Sequence, residues 1–360
     1  MGPRLFFLLS LFFFHCLMIR AQEKSSYPFF ISLNYRTGEN EPHRDIIMNL
    51  KYPYRGVDLK LGWQTTGLKD WQLAYRYPSL GIGFNWNTFE TEVLGNPVAS
   101  YFFVNFPQIT TSWFRFDLET DLGLSYGINP YNAETNPYNF STGTTVNVFF
   151  GLYLEQSFHI LPQADIFCSE GLTHYSNGAL GFPNYGLNIP SLKFGVRYLC
   201  HKPEYIKKLG KPDFKKQFSI ITYVGGGTKK LFGPTPSYNE VLVSPSVCYR
   251  IGFKRRLGLG LEVSYNEAIK GVEPILDEYT LKQLLFYGVY FSHEFIIDRF
   301  TILAQLGIYL KDHPAATFYY ERVGFGYYVG KNIRVMLNLK AHYIKAEYVE
   351  AGIAYDLKLN

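Results

Sequence analysis

The sequence contains few charged residues and no apolar run that is long enough to form a membrane-spanning helix. Charged side chains make up 18% of the 360 residues, and the formal net charge is only +5. After residue 21, no stretch reaches the roughly 18 consecutive apolar residues that a transmembrane helix requires. A small positive charge that is spread along the chain also argues against a nucleic-acid partner.

Cysteine and histidine are too few and too widely spaced for a disulfide framework or a metal site. Four cysteines occur, and Cys168, Cys200 and Cys248 remain after Cys16. An odd, scattered set matches neither the pairing of small secreted domains nor the spacing of zinc ligands. The histidines likewise lack metal-ligand spacing. We therefore expect no metal and no cofactor.

The N-terminal segment, residues 1–21, has the composition of a secretory signal peptide. Arg4 precedes an apolar run over residues 5–14, and a small residue, Ala21, ends the segment. The run is too short to span a bilayer comfortably, and polar residues follow at once. We predict that residues 1–21 direct export and take no part in the fold.

Aromatic residues are abundant, and the chain repeatedly alternates apolar and polar residues. It contains 30 tyrosines and 31 phenylalanines, which is far above the content of an ordinary soluble domain. Clear alternation occurs over residues 57–64, 146–155, 333–342 and 349–356. Outer-membrane barrels need aromatic girdles, apolar lipid-facing side chains and a polar interior. We therefore predict an all-β fold rather than a soluble β-sandwich, namely an antiparallel transmembrane outer-membrane β-barrel of about 12–16 strands with residues 22–360 as its single domain.

The strand predicted over residues 163–176 ends in chemically active side chains. Long external loops and short periplasmic turns alternate along most of the chain, which places the end of this strand at the outer leaflet. In a strand, His174 and Ser176 project from the same face about 7 Å apart, and the other residues on that face are on balance apolar. Because an unpaired polar group in hydrocarbon is costly, this pair indicates chemistry on a lipid.

The sequence around this pair resembles the signature of a known enzyme family. Residues 174–178 have the sequence HYSNG, and Pro183-Asn184-x-Gly186 follows, as in the lipid A 3-O-deacylase (PagL-like), or acyloxyacyl hydrolase, family. Members of that family are outer-membrane β-barrel serine esterases that remove the acyl chain at the 3 position of lipid A. The resemblance implies a carboxylic ester hydrolase of the bacterial outer membrane, with lipid A or lipopolysaccharide as its substrate.

The resemblance also implies roles for individual residues. It makes Ser176 the nucleophile, His174 its general base and Asn177 a donor to the oxyanion. A serine hydroxyl is a poor nucleophile without a base, and donors aimed at the oxyanion lower the barrier. In the family a Glu twelve residues after the serine completes the triad, and here Asn188 occupies that position.

The departure at Asn188 leaves three alternatives open. An Asn oxygen can hold the imidazole in the right tautomer but cannot stabilise its positive charge, so Asn188 would serve as a weaker third triad member. Alternatively, Glu155 on the preceding strand supplies the carboxylate, since Glu170 is roughly 13 Å from His174 and too distant. In the third alternative the acid is lost and the protein no longer hydrolyses anything.

The length of the chain also separates it from the family. The family's barrel has about eight strands, and this chain is roughly twice as long, so either the barrel is wider or the extra strands form a separate element. Two other functions remain open. One is a non-enzymatic barrel, such as a porin, a fatty-acid transporter or a structural protein, in which the motif is vestigial. The other is an esterase that acts on phospholipid.

Overall fold

Antiparallel strands dominate the structure, a computed structural model that describes residues 27–206, 214–231, 236–272, 279–311 and 318–359. The signal peptide predicted at residues 1–21 lies outside these ranges. No helix in the described ranges is long and apolar enough to cross a membrane. The described residues form sixteen strands: β1 (Phe29–Glu39), β2 (Pro53–Gln64), β3 (Ser79–Thr88), β4 (Gly95–Thr110), β5 (Phe114–Ile128), β6 (Val146–Leu161), β7 (Ala164–Ser176), β8 (Leu187–Leu199), β9 (Gln217–Lys230), β10 (Ser237–Arg250), β11 (Arg255–Asn266), β12 (Leu285–Ile297), β13 (Phe300–Tyr309), β14 (Tyr319–Tyr328), β15 (Ile333–His342) and β16 (Lys345–Lys358).

Short helical segments lie in the connections between strands. A 3₁₀ turn (Asp45–Leu50) connects β1 to β2, and α1 (Asp70–Ala74) connects β2 to β3. In the connection from β11 to β12, the described residues include α2 (Ile269–Val272) and α3 (Leu281–Leu284).

Strands β1 to β8 close into a first barrel, because β1 pairs with both β2 and β8. Inward-facing residues are mostly polar and buried, whereas many outward-facing residues are apolar and exposed. On β1, for example, Ser32 and Asn34 are buried while Leu33 between them is 54% exposed. This distribution is the one expected of a barrel whose outer surface faces lipid.

Ion pairs occupy the interior of the first barrel. Arg36 Nη2 lies 2.5 Å from Asp58 Oδ2, and Lys193 Nζ contacts both Glu119 and Asp121. Other buried pairs are Lys60 with Glu119, Arg115 with Asp117, and Arg197 with Glu155. An eight-stranded barrel is just wide enough for side chains to fill it, and here paired charged side chains and a cluster of buried aromatic side chains provide that filling.

Strands β9 to β16 close into a second barrel through the pairing of β16 with β9. Its interior is also built from buried ion pairs. The Arg322 guanidinium binds Glu262 and Glu350, and further pairs join Arg334 to Glu294 and Lys340 to Glu240.

The observed architecture confirms the fold class and corrects the number of barrels. The all-β, antiparallel barrel class is confirmed, and the sixteen strands lie at the top of the predicted range. However, the strands close after eight and again after sixteen, and the chain divides into two compact units, whereas the sequence predicted one barrel domain over residues 22–360. Apolar and polar residues would alternate along the strands in the same way in one sixteen-stranded barrel and in two eight-stranded barrels. Closure depends on the pairing of β1 with β8, which the pattern along a strand does not encode.

Candidate active site

The pairing of β7 with β8 brings His174 and Asn188 together. These two residues are cross-strand partners in the antiparallel register, and Tyr175 lies opposite Leu187. The imidazole Nδ1 of His174 lies 2.7 Å from Oδ1 of Asn188. The position that the family fills with Glu therefore does contact the histidine, and it does so through an amide.

The exposure of β7 places His174 and Ser176 on the outer face of the first barrel. Leu172 and Ile166, which have the same parity, are exposed, while Thr173 and Tyr175 are buried. His174 and Ser176 themselves are partly buried. The sequence predicted this outward orientation from the apolar character of that face.

Contacts on the inner face hold the end of β7 in place. The Tyr175 hydroxyl lies 2.6 Å from that of Tyr54, and the Tyr175 ring packs against Phe89 and Phe149. The Thr173 hydroxyl accepts a hydrogen bond from Arg36 at 3.0 Å. These buried neighbours fix the backbone from which His174 and Ser176 project.

The segment Pro183 to Gly186 packs against the histidine. Gly186 has a φ of +74°, and a Cβ at this position would lie 2.9 Å from His174 Cε1. The Gly186 N–H donates to the Ser141 carbonyl at 2.8 Å, and Asn184 Oδ1 accepts from the Asn177 N–H at 2.9 Å. These contacts place the segment beside His174.

Ser176 Oγ and His174 Nε2, atoms of the predicted nucleophile and base, have no hydrogen-bond partner within the described residues. The two side chains are two residues apart on one strand face. Substrate could therefore approach a hydroxyl and a basic nitrogen that are not already engaged by the protein.

Asn177, the predicted oxyanion donor, is oriented differently from His174 and Ser176. Its side chain is only 2% exposed, and its Nδ2 donates to Thr142 Oγ1 at 3.2 Å. Its odd-numbered position continues the inward parity of Thr173 and Tyr175. Asn177 thus follows Ser176 directly in the sequence, but its side-chain amide binds the buried Thr142.

The alternative acid Glu155 is directed away from His174. Glu155 lies in the barrel interior, where it binds Arg197, and its cross-strand partner on β7 is Ser169. Glu170 shares the outer face but is four residues from His174 along β7. Of the two candidates that the sequence offered, Asn188 and Glu155, Asn188 is the one that contacts the imidazole.

His43 also contacts the site, and no local sequence pattern indicated that it would. This loop residue brings its Nδ1 to 3.1 Å from Nδ2 of Asn188, from a position 145 residues earlier in the chain. Partial burial lowers the pKa of His43, and the neighbouring Arg44 lowers it further, while a hydrogen bond with the Tyr185 backbone acts in the opposite direction. Asn188 therefore lies between two imidazoles.

The described residues contain no group of three or more His, Cys, Asp or Glu side chains arranged to hold a metal ion. The structure brings together the imidazoles of His174 and His43 and the amide of Asn188, with the Ser176 hydroxyl on the same face of β7 as His174.

Solved structures that resemble the whole chain do so only weakly. A triple mutant of the Rhodopseudomonas blastica porin is 8% identical, with 91% of this chain and 100% of that chain covered and a TM-score of 0.19. The Pseudomonas putida toluene transporter TodX is 9% identical, with coverages of 92% and 89% and a TM-score of 0.18. Pseudomonas aeruginosa OccK11 is 8% identical, with coverages of 93% and 96% and a TM-score of 0.23. Similarities this low support no argument about function.

Family comparisons are more specific, and they divide the chain at the same place as the barrels do. The family described as lipid A 3-O-deacylase (PagL) matches residues 57–197, within the first barrel. The family described as acyloxyacyl hydrolase, C-terminal domain, matches residues 218–359, within the second barrel. No curated protein matches the chain. Because the two matches together cover most of the sequence, the chain belongs to the lipid A 3-O-deacylase (PagL) family and carries that family's acyloxyacyl hydrolase C-terminal domain.

Proposed function

We propose that this protein is an outer-membrane serine esterase that removes an ester-linked acyl chain from lipid A through an acyl-enzyme intermediate. The observation that carries the proposal is the 2.7 Å contact between His174 Nδ1 and Asn188 Oδ1. This contact orients the imidazole of His174, which lies on the same outer face as Ser176. The other ring nitrogen, Nε2, makes no hydrogen bond within the described residues. The lipid A specificity comes from the family to which the chain belongs.

The proposed reaction assigns a step to each of these residues. The Ser176 hydroxyl attacks the ester carbonyl while His174 Nε2 takes its proton. The tetrahedral intermediate collapses when the sugar alkoxide leaves and receives that proton from the imidazolium, which leaves the acyl group on Ser176. A water molecule then attacks the acyl-enzyme, His174 again takes and returns the proton, and the free fatty acid leaves.

Asn188 supplies orientation without charge. Its Oδ1 accepts the Nδ1–H of His174, so the lone pair of Nε2 faces outward as a base. An amide oxygen does not offset the positive charge that the ring acquires in the transition state, as a carboxylate would. We expect the enzyme to be slower than a family member that has Glu at this position.

Asn177 is the proposed donor to the oxyanion. In this structure its Nδ2 donates to Thr142 Oγ1, so stabilising the oxyanion requires Nδ2 to exchange that hydroxyl for the substrate oxygen. The exchange replaces a neutral acceptor with a charged one, and hydrogen bonds to charged groups are the stronger ones.

The outer surface of the first barrel suits an acyl substrate. Apolar side chains near the site, including Leu152 and Leu172, are exposed on this face. Acyl chains of lipids in the outer leaflet would lie along such a surface and reach Ser176 without entering the barrel. The interior, in contrast, is occupied by ion pairs, which argues against a channel through the first barrel.

A paired assay of fatty-acid release tests the proposal and its substrate. Detergent-dispersed lipid A and, separately, phospholipid would be incubated with the protein and with its Ser176→Ala variant. We expect release from lipid A by the unmodified protein only. Release of fatty acid from phospholipid alone would show that the substrate is phospholipid and not lipid A. Equal release by the Ser176→Ala variant would refute Ser176 as the nucleophile.

A further inference from the structure

We propose that His43 is a positioning residue that keeps the Asn188 amide oxygen directed at His174. The inference rests on the proposed hydrolysis at Ser176 and deepens it, because it explains how an asparagine can replace the acid of the triad.

The Asn188 amide has two different ends, and both are engaged. Its Oδ1 lies 2.7 Å from His174 Nδ1, and its Nδ2 lies 3.1 Å from His43 Nδ1. Nδ2 can only donate, so His43 Nδ1 must accept with its lone pair. His43 therefore carries its proton on Nε2, which is consistent with the hydrogen bond between its ring and the Tyr185 backbone.

The orientation of the Asn188 amide determines which nitrogen of His174, the proposed base, carries the proton. When Nδ2 is bound by His43, Oδ1 faces His174 and requires a proton on its Nδ1, which leaves Nε2 free to act as the base. If the amide turned over, Nδ2 would face His174 Nδ1, and the ring would carry its proton on Nε2. That tautomer cannot accept the proton of Ser176. A carboxylate has two equivalent oxygens and needs no such partner, whereas an asparagine does.

The loop that carries His43 is fixed to the same strand. The Glu41 N–H donates to the carbonyl of Asn188 at 2.8 Å. Asn40 is buried and its Nδ2 donates to the Leu50 carbonyl at 2.7 Å, while Ile47 belongs to the buried core of the first barrel. Backbone and side chain of Asn188 are thus both bound by one loop, which sets the distance to His43.

A dependence on pH follows from this arrangement. The titratable and charged groups near His43 are Glu41 and Arg44 in its own loop and His174 on β7, with Tyr185 before β8. Protonation of His43 turns Nδ1 into a donor, so the Asn188 amide must turn over and the base is lost. Activity should therefore fall as the pH drops through the pKa of His43, which burial and Arg44 lower from its usual value of about 6.5.

The test compares two substitutions that differ in the acceptor they leave. His43→Asn supplies an Oδ1 near the position of Nδ1 that cannot take up a proton, whereas His43→Phe keeps the ring and removes the acceptor. We expect His43→Phe to lower kcat about ten- to a hundredfold with little change in KM, as when a polar group loses its partner. His43→Asn should keep kcat within about threefold. The fall in the activity of His43→Asn at low pH should be less steep than in the unmodified protein, because His174 is the only one of these two histidines that still titrates.

Two further variants make the comparison specific. In an Asn188→Asp background, His43→Phe should change kcat by less than about threefold, since a carboxylate needs no orientation. His201→Phe, at an exposed histidine beyond β8, is the matched control and should leave kcat unchanged. Equal losses in His43→Phe and His43→Asn, or the same loss in the Asn188→Asp background, would overturn the proposal.

A measurement without turnover separates this inference from the proposed function. Nitrogen NMR of ¹⁵N-histidine-labelled protein, assigned with a His174→Ala variant, reports the tautomer of His174. We expect the Nδ1–H tautomer in the unmodified protein and a mixture in His43→Phe. An unchanged tautomer in His43→Phe would overturn the role of His43. Absence of hydrolysis together with the expected change in tautomer would refute the esterase and retain the positioning role.

Discussion

At the scale of single residues, the proposed site differs from the family's triad at the position of the acid, where this chain has Asn188. Asn188 occupies the correct position, contacts His174 and provides an acceptor of the right geometry. Compared with the family's Glu, it lacks the negative charge and is one methylene group shorter. The sequence could predict the position and the identity of the residue, but not that Asn188 is bound on its other side by His43.

Substitution of Asn188 tests how much that charge matters. Asn188→Asp keeps the position of Oδ1 and adds a carboxylate, so we expect kcat to rise about tenfold or more. Asn188→Ala removes the acceptor and should lower kcat by at least about tenfold. Rates of fatty-acid release from lipid A measure both. If Asn188→Ala were as active as the unmodified protein, Asn188 would have no part in the reaction.

Gly186 is the second residue on which the geometry of His174 depends. Gly186→Ala would force a left-handed backbone on a residue with a side chain, at a cost of about 1 kcal/mol or more, and press its Cβ on the imidazole. We expect a strong loss of kcat in a protein that still migrates as a folded barrel in unheated gels.

Gly252→Ala is the matched control for that substitution, because a Cβ at Gly252 would meet no atom within 4 Å. Its activity should be unchanged. Full activity of Gly186→Ala would show that the imidazole tolerates displacement and that the close approach has no functional role.

At the scale of strands and loops, regular elements were predictable and connections were not. The sequence predicted a strand over residues 163–176, and β7 extends from Ala164 to Ser176, because alternation and the flanking Gly and Pro residues are local signals. Residues 70–88 are less regular, since Asp70–Ala74 is helical and β3 begins only at Ser79. The loop with His43 depends on a bond from Glu41 to Asn188, a contact between distant positions that no local pattern contains.

The ion pair that joins β1 to β2 inside the first barrel gives a prediction at this scale. Asp58→Ala would leave the Arg36 guanidinium buried without its carboxylate partner, at a cost of about 3–5 kcal/mol in the free energy of unfolding. Because Arg36 also donates to Thr173, the end of β7 should loosen as well. Urea unfolding in detergent measures the change.

An exposed pair on the same barrel is the control. Arg55 and Glu90 lie 2.9 Å apart but are about half exposed, so Glu90→Ala should cost less than about 1 kcal/mol. Similar losses for Asp58→Ala and Glu90→Ala would mean that water reaches the interior pair and that the barrel is not filled as described.

At the scale of the whole molecule, composition predicted the class, and the alternation of apolar and polar residues predicted the range in which the number of strands lies. The sequence did not determine whether the strands close into one barrel or two. Each of the two family matches lies within one of the two barrels that the structure shows. The residues of the proposed site all belong to the compact unit of the first barrel, namely His43, His174, Ser176, Asn177 and Asn188. The proposed reaction therefore needs no residue of the second barrel.

Mass spectrometry of lipid A after incubation with the full-length protein tests the central claim most directly. The unmodified protein should produce a lipid A species that has lost one hydroxyacyl chain, together with the corresponding free hydroxy fatty acid, and the Ser176→Ala variant should leave lipid A unchanged. Intact lipid A in both samples, or the same loss in both, would contradict the assignment of Ser176 as the nucleophile of a lipid A esterase.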